Sequence, residues 1–405
     1  MRGPIALVFY RKGTAMKNKT FLQITLLLLC VVLVLPLVGC QTTPDPVETD
    51  PVTDPVDTEP SDTNPTDTEP ADTEPADTEP DETEPAETEP EDEDTMWNYV
   101  HEKTGVLTRE ITIDSGKGGD PVEIVQITDI HFNYCNEQDL TEKNPALMST
   151  YEHRQWLKNG ASLPNAQRCL NSAKDADMIV LTGDTLDYLS YGCIELMEQA
   201  FLEPYEDKIL AAPGNHEATR KVEGLVDDNT TLESRLDILG AAWPHELRYA
   251  SVVLEEKVML IQLDNSTSCD VPGGGTCFYQ EQVTPLREDL ALARENGYVV
   301  LLFYHIPLGT GTAQDYRSVS PYNEEQSNFY SNGIGRYSTG ASKEVYTLIT
   351  NNADIIKGAF CGHVHNDYYT NIKGTGQNGT GHLIPQYIMR ASAYESGHIF
   401  RIIVE

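Results

Sequence analysis

An α/β fold, with at least part of its sheet antiparallel or mixed, is predicted from three observations. Strand-like apolar runs alternate with helix-like stretches through the region that begins near Trp97. The late strand-like runs follow one another, which requires antiparallel or mixed pairing for part of the sheet. Five polar clusters each follow an apolar run, the edge at which α/β sheets bind ligands.

The strand-like runs are 122–127, 178–181, 208–211, 252–254, 258–263, 299–303, 355–360, 384–389 and 399–404. Helix-like stretches at 166–176, 194–202, 232–239, 285–296 and 343–351 separate many of them. The boundaries expected are 1–40 for a targeting segment, 41–94 for a spacer and 95–405 for one folded domain.

The chain has 405 residues and a net charge of −36, unevenly placed. Residues 41–94 hold 22 Asp/Glu and no Lys/Arg, whereas residues 1–40 hold 5 Lys/Arg and no Asp/Glu. Residues 95–405 carry the other 42 acids and 23 bases. An acidic domain repels polyphosphate backbones, so nucleic acid is not an expected partner. Bound metals can still draw a small phosphate to one place.

Lys17 and Lys19 precede the apolar run 24–38, which ends in Leu37-Val38-Gly39-Cys40. A charged n-region, an apolar h-region and small residues at the end describe a secretory signal. The ending resembles a bacterial lipobox, which implies cleavage before Cys40 and a lipid on that residue. An uncleaved membrane anchor is the alternative; both put the remainder outside the cytoplasm. Met16 stands directly before the n-region and is a candidate true start. In residues 41–94 Asp-Thr-Glu-Pro recurs every five residues, as at Asp72–Pro75 and Asp77–Pro80. With almost nothing apolar to bury, this stretch reads as an extended, solvated spacer of up to about 170 Å.

The clusters carry the chemistry. Pro213-Gly214-Asn215-His216-Glu217 offers a neutral oxygen, an imidazole and a carboxylate within one turn. The others are Asp129-Ile130-His131, Gly183-Asp184-Thr185-Leu186-Asp187, His305, and Gly362-His363-Val364-His365. Together they supply hard carboxylate and borderline imidazole ligands for two divalent metals, with Mn, Zn and Fe all compatible. In extended chain Asp129 and His131 share one face, as do His363 and His365. Asp184, with two carboxylate oxygens, is placed to bridge.

The ordered set Asp-x-His, Gly-Asp-x-x-Asp, Gly-Asn-His-Glu, His, Gly-His-x-His resembles the calcineurin-like metallophosphoesterase superfamily, from about Leu107 to the C-terminus. The resemblance implies a four-layer αββα sandwich of two mixed β-sheets flanked by helices. It implies Asp129, His131 and His365 on a first metal, Asn215, His305 and His363 on a second, and Asp184 bridging. It assigns His216 as the catalytic histidine and Asp187 as the carboxylate that orients it. The implied reaction is in-line attack on a phosphate ester by a metal-bridging hydroxide, with protonated His216 as general acid.

Two departures narrow the substrate. Asp187 stands where purple acid phosphatases carry Tyr, so a purple enzyme is not expected. Tyr188 and Leu189 follow where phosphoprotein phosphatases carry Arg-Gly, which counts against phosphoprotein substrates. A broad phosphomonoesterase on small esters is the first reading. A phosphodiesterase acting on nucleotides, glycerophosphodiesters or wall polymers is the second. A surface binding module keeping metals for structure alone is the reading of another class; His216 and Asp187 argue against it, since binding needs no proton donor. Loops 132–165, 217–248 and 306–342 are expected to shape the pocket. Of the six domain cysteines, Cys269 and Cys277 flank a Gly-rich loop and are the favoured disulfide, while Cys361 reads as a buried thiol. His101, His153, His245, His382 and His398 read as structural. Replacing Cys40 by Ala should leave the exported chain unprocessed or released; a mature-sized mutant that still partitions into detergent would remove the lipid from Cys40.

Overall fold

The strand-forming sequence resolves into two mixed sheets in the computed structural model. It describes residues 8–9, 98–101, 105–142, 148–149, 151, 162–218, 232–266, 278–308, 340–394 and 397–405. Cys40, residues 41–94, the apolar run 24–38, His153, the pair Cys269 and Cys277, and most of the loop 306–342 lie outside the described residues. Among the described residues, no helix is long and apolar enough to cross a membrane.

One sheet has seven strands in the order β1-β7-β8-β9-β10-β12-β11. These are β1 (Val8–Phe9), β7 (Tyr249–Leu254), β8 (Val258–Leu263), β9 (Val299–Phe303), β10 (Ile356–Cys361), β12 (Leu383–Ile388) and β11 (Tyr368–Lys373). The other has six, in the order β2-β3-β13-β4-β5-β6. These are β2 (Asn98–His101), β3 (Leu107–Ile113), β13 (His398–Val404), β4 (Val122–Ile127), β5 (Met178–Thr182) and β6 (Ile209–Ala212). β8, β9, β10 and β12 run parallel, and so do β4, β5 and β6. β13 pairs parallel with β3 and antiparallel with β4, so the last strand of the chain sits inside its sheet. All nine strand-like runs of the sequence become strands, within a few residues at their ends.

Three apolar cores define four layers. Between the sheets, Ile124, Val180 and Ile402 from one meet Leu260, Leu301 and Phe360 from the other. Outside the six-stranded sheet, Ile127, Ile179 and Ile209 pack on helices α1 (Ser162–Ala173), α2 (Tyr191–Met197) and α3 (Leu232–Ala242). Outside the seven-stranded sheet, Ile261, Leu302 and Ala359 pack on α4 (Gln280–Asn296) and α5 (Gly340–Asn351). Strands buried on both faces are continuous apolar runs rather than alternating ones, which is why they stood out in the sequence. This is the αββα sandwich. α4 begins five residues before Pro285: the Gln282 side chain accepts the Tyr279 N–H at 2.7 Å and closes the start of the helix.

The edge strand β6 is covered rather than open. Trp243 Nε1 donates to the Ala211 carbonyl at 3.1 Å, and His245 Nε2 accepts the Ala211 N–H at 2.9 Å. His245 is thus structural. Cys135, Cys169, Cys193 and Cys361 are buried, and Cys361 Sγ donates to the Tyr387 carbonyl.

Phe360 sits at the centre of the inter-sheet core, with ring centroids 5.2 Å from Phe303, 5.2 Å from Tyr387 and 5.6 Å from Phe400. Truncation there opens a cavity between two sheets that cannot collapse. Phe360→Ala should cost about 3–5 kcal/mol, read as a lowered midpoint of urea unfolding.

Candidate metal centre

Every polar cluster picked from the sequence follows a parallel strand. Asp129 and His131 come after β4, Asp184 and Asp187 after β5, Asn215 and His216 after β6, His305 after β9, and His363 and His365 after β10. Because two sheets end at one edge, residues far apart in the chain meet. Asp129, His131, Asp184 and His365 form one group whose ligand atoms lie within 4.8 Å of one another, and Asp184, His305 and His363 form a second. Asn215 joins the second group, its Oδ1 lying 3.1 Å from His305 Nε2.

The local backbone differs from the extended geometry expected for the Asp-x-His and His-x-His pairs. Asp129 (φ 50), His131 (φ 52), Asp184 (φ 50), His363 (φ 70) and His365 (φ 59) all take left-handed conformations. Such conformations cost about 1–3 kcal/mol each and persist only where neighbours over-determine them. Here the loops are laced together. The amides of Asp129, His131 and Phe132 donate to the carbonyls of Gly183, Asp184 and Thr185 at 2.8–3.0 Å, and the Asp187 amide returns to the Phe132 carbonyl at 2.9 Å. Two glycines allow this approach: a Cβ at Gly214 would overlap the Asp184 amide and carboxylate, and one at Gly362 would overlap the Asp129 carboxylate.

The outer ring nitrogens are already engaged, and this sets which nitrogen faces inward. His131 Nδ1 donates to Asp187 Oδ1 at 3.1 Å, and His305 Nδ1 donates to the Thr182 carbonyl at 2.8 Å. His216 Nδ1 donates to the Asp187 carbonyl at 2.8 Å. His365 Nδ1 bonds the Tyr394 hydroxyl at 2.8 Å. His131 Nε2 then faces His365 Nε2 at 3.0 Å, and His305 Nε2 faces His363 Nδ1 at 3.3 Å. Two imidazole nitrogens about 2.1 Å from one ion and at right angles stand ~3.0 Å apart. The facing lone pairs and the mixed His/Asp/Asn donor set fit divalent metals.

Asp184 Oδ1 accepts the His216 amide at 2.9 Å, leaving Oδ2 between the groups, 3.2 Å from His305 Nε2 and 3.8 Å from His131 Nε2. Oδ2 is thus the Asp184 oxygen that faces both groups. Asp187 also differs from expectation. Its carboxylate is closer to His131 (3.1 Å) than to His216 (3.4 Å), so it serves both rings. Glu217, which the sequence offered as a carboxylate beside Asn215, turns to backbone amides instead. It accepts the amides of Gly214, Asp184, Thr185 and Leu186 at 2.6–3.1 Å and ties two motif loops together.

Charge inside the cluster is tightly balanced. Burial opposes ionisation of Asp184, yet His305 and His216 hold it well below the usual carboxylate range. Burial disfavours the His305 cation, and Asp184 overrides this and lifts it to about 10. Burial and the neighbouring His305 hold His363 down to about 3, which keeps that ring neutral. His216 is raised: burial lowers it, but Asp184 and Asp187 raise it more. Burial and Asp184 push Glu217 up to about 7 against its amide donors. A metal entering such a site displaces protons from imidazole.

Three supporting residues went unnoticed in the sequence. Tyr394, at the end of the chain segment after β12, orients His365. Asn265, after β8, brackets Ile306 by accepting its amide at 3.0 Å and donating to its carbonyl at 2.6 Å, fixing the residue after His305. Ser266 Oγ donates to the Pro213 carbonyl at 2.7 Å. For Asn265 and Ser266 the sequence signal was a polar run, Asp264-Asn265-Ser266, at the end of an apolar strand; Tyr394 had none.

A family model described as calcineurin-like phosphoesterase matches residues 122–367. The chain belongs to the calcineurin-like phosphoesterase family, and by class is a metal-dependent phosphoric ester hydrolase. Among solved structures it is similar to a purple acid phosphatase from yellow lupin (Lupinus luteus) seeds, at 16% identity and a TM-score of 0.37, covering 73% of this chain and 46% of that one. The chain thus spans less than half of the lupin protein's length. It is similar to a dimetal phosphatase from Danio rerio at 12% identity and a TM-score of 0.39, covering 67% of this chain and 88% of that one. It is also similar to a calcineurin-like phosphoesterase from Bacillus subtilis at 13% identity and a TM-score of 0.32, covering 67% and 81%. A search of curated proteins finds no match.

Glu217→Gln keeps the shape but presents two N–H donors where four amides need an acceptor. Each orphaned buried donor costs about 1–3 kcal/mol. The variant should unfold at lower temperature and bind Mn(II) more weakly by calorimetric titration; unchanged values in both would mean the carboxylate is not what joins the two loops.

Proposed function

We propose that this protein is a dinuclear phosphoesterase, acting first on phosphomonoesters of small molecules, with His216 as general acid. The observation that carries the reading is the placement of His216 beside two donor groups that share Asp184 Oδ2. The first ion would be held by Asp129, His131, Asp184 and His365, and the second by Asp184, Asn215, His305 and His363. When bound, two divalent ions supply charge that neutralises phosphoryl oxygens and makes water acidic enough to attack near neutral pH. Mn, Zn and Fe all suit these donors.

The protein's own groups do the rest. His216 Nδ1–H is held by the Asp187 carbonyl, so Nε2 points inward, 3.9 Å from Asp184 Oδ2. The carboxylates of Asp184 and Asp187 raise the pKa of that ring against its burial, which favours the protonated form a general acid needs. Asp129 is pinned by the Thr128 hydroxyl at 2.7 Å and the His363 amide at 3.0 Å, so its plane is set before anything binds. In this proposal cleavage before Cys40 removes residues 1–39, the edge strand β1 with them, and the domain works outside the cytoplasm, lipid-anchored at Cys40 and held off the membrane by the acidic spacer; that reading rests on the sequence.

His216→Ala should bind two equivalents of metal and lose activity by about 10²–10⁴-fold on an alkyl phosphate. It should lose far less on a nitrophenyl ester, whose leaving group departs without a proton. Asn215→Ala should lose metal instead. Monoester and diester nitrophenyl substrates, each with added Mn, Zn or Fe, decide the substrate class. Lost metal in the His216 variant, or equal losses on both esters, would remove His216 from the role of general acid.

A further inference from the structure

We propose that Asn133 and Tyr188 are positioning residues that set the plane of the Asp187 carboxylate, and through it both His131 and His216; this rests on the general-acid reading above. Asp187 is 1% exposed, Asn133 6% and Tyr188 0%. A single oxygen, Asp187 Oδ1, faces two rings: His131 Nδ1 at 3.1 Å and His216 Nδ1 at 3.4 Å. Rotating that carboxylate disturbs a metal-side imidazole and the acid together. Its other oxygen, Oδ2, faces Asn133 Nδ2 at 3.5 Å.

An asparagine amide presents either end with little difference in shape, so something must choose. Tyr188 does so. Its hydroxyl donates to Asn133 Oδ1 at 2.9 Å. Burial pushes the phenol pKa up, so the hydroxyl stays a donor. A donor at Oδ1 leaves the NH₂ end, and only that end, directed at the carboxylate. Reversing the amide would set its oxygen against the Asp187 carboxylate and lose the bond that the Tyr188 hydroxyl donates to Oδ1. The frame is stiff. Phe132 and Leu186 form a parallel bridge, and the Asp187 amide donates to the Phe132 carbonyl. The Tyr188 ring is part of the core outside the six-stranded sheet. Asn133 and Tyr188 thus brace Asp187 across two adjacent strand-end loops, and neither touches a reacting atom.

Tyr188→Phe removes one oxygen and keeps the ring. With the amide free to turn, kcat on an alkyl phosphate should fall about 3–10-fold while KM stays put, the size of one lost hydrogen bond. The loss on a nitrophenyl ester should be smaller. The ratio of the two substrates is independent of how much enzyme is folded, so partial unfolding cannot imitate it. Mn(II) affinity, titrated on metal-stripped protein, should fall by about tenfold because His131 loses its orientation. Asn133→Ala should match this pattern, and the double variant should be no worse than Asn133→Ala, because both act through one carboxylate. Equal losses on both esters, unchanged Mn(II) affinity or additive losses in the double variant would overturn the proposal. His216→Ala is measured alongside. If it loses equally on both esters, the general-acid reading falls and the Mn(II) arm alone decides the positioning role, weakened affinity upholding it and unchanged affinity ending it.

Discussion

The contact between Asp184 and His305 is the constraint on which the centre depends. Asp184 belongs to the loop after β5 in one sheet, His305 to the loop after β9 in the other, and 3.2 Å separates them. Both are fully buried. An ionised carboxylate in such a place costs several kcal/mol unless cations and donors surround it. The His216 amide, His305 and the donor groups on either side supply that surround. Packing the two sheets face to face places these groups within reach, so the inter-sheet core around Phe360 and the site at its edge are one structural problem.

The same logic explains the strained backbone. Five of the proposed ligand residues or their bridge carry positive φ. No side chain favours this in isolation. It is held by amide-to-carbonyl bonds between the loops after β4 and β5, and by Glu217, whose carboxylate collects four amides from the loops after β5 and β6. Rigidity is useful here, because a catalytic constellation must sit within a fraction of an ångström of its working geometry.

Three carboxylates in neighbouring loops thus have separate tasks, set by what each touches. Asp184 points its free oxygen between the two donor groups. Asp187 faces ring nitrogens of two histidines. Glu217 faces backbone only. In the sequence they look alike, each a carboxylate a few residues past an apolar run.

Much was legible before any coordinate. Buried strands announce themselves as unbroken apolar runs, so β4, β8 and β9 are found to the residue. β3 and β11 were missed because polar residues interrupt them: Thr108, Arg109 and Glu110 in one, Thr370 and Asn371 in the other. The identity of the site was also written in the chain, since hard and borderline ligands must follow strand ends to meet. What only the tertiary structure decided is which groups share a point. β13 closes its sheet between β3 and β4, Asp187 turns toward His131 as well as His216, and Tyr394 reaches His365 from a loop with no motif at all. Local sequence sets the residue types and the periodicity of burial. Orientation between elements far apart in the chain comes from packing two sheets and lacing their loops, and no short stretch of residues contains that information.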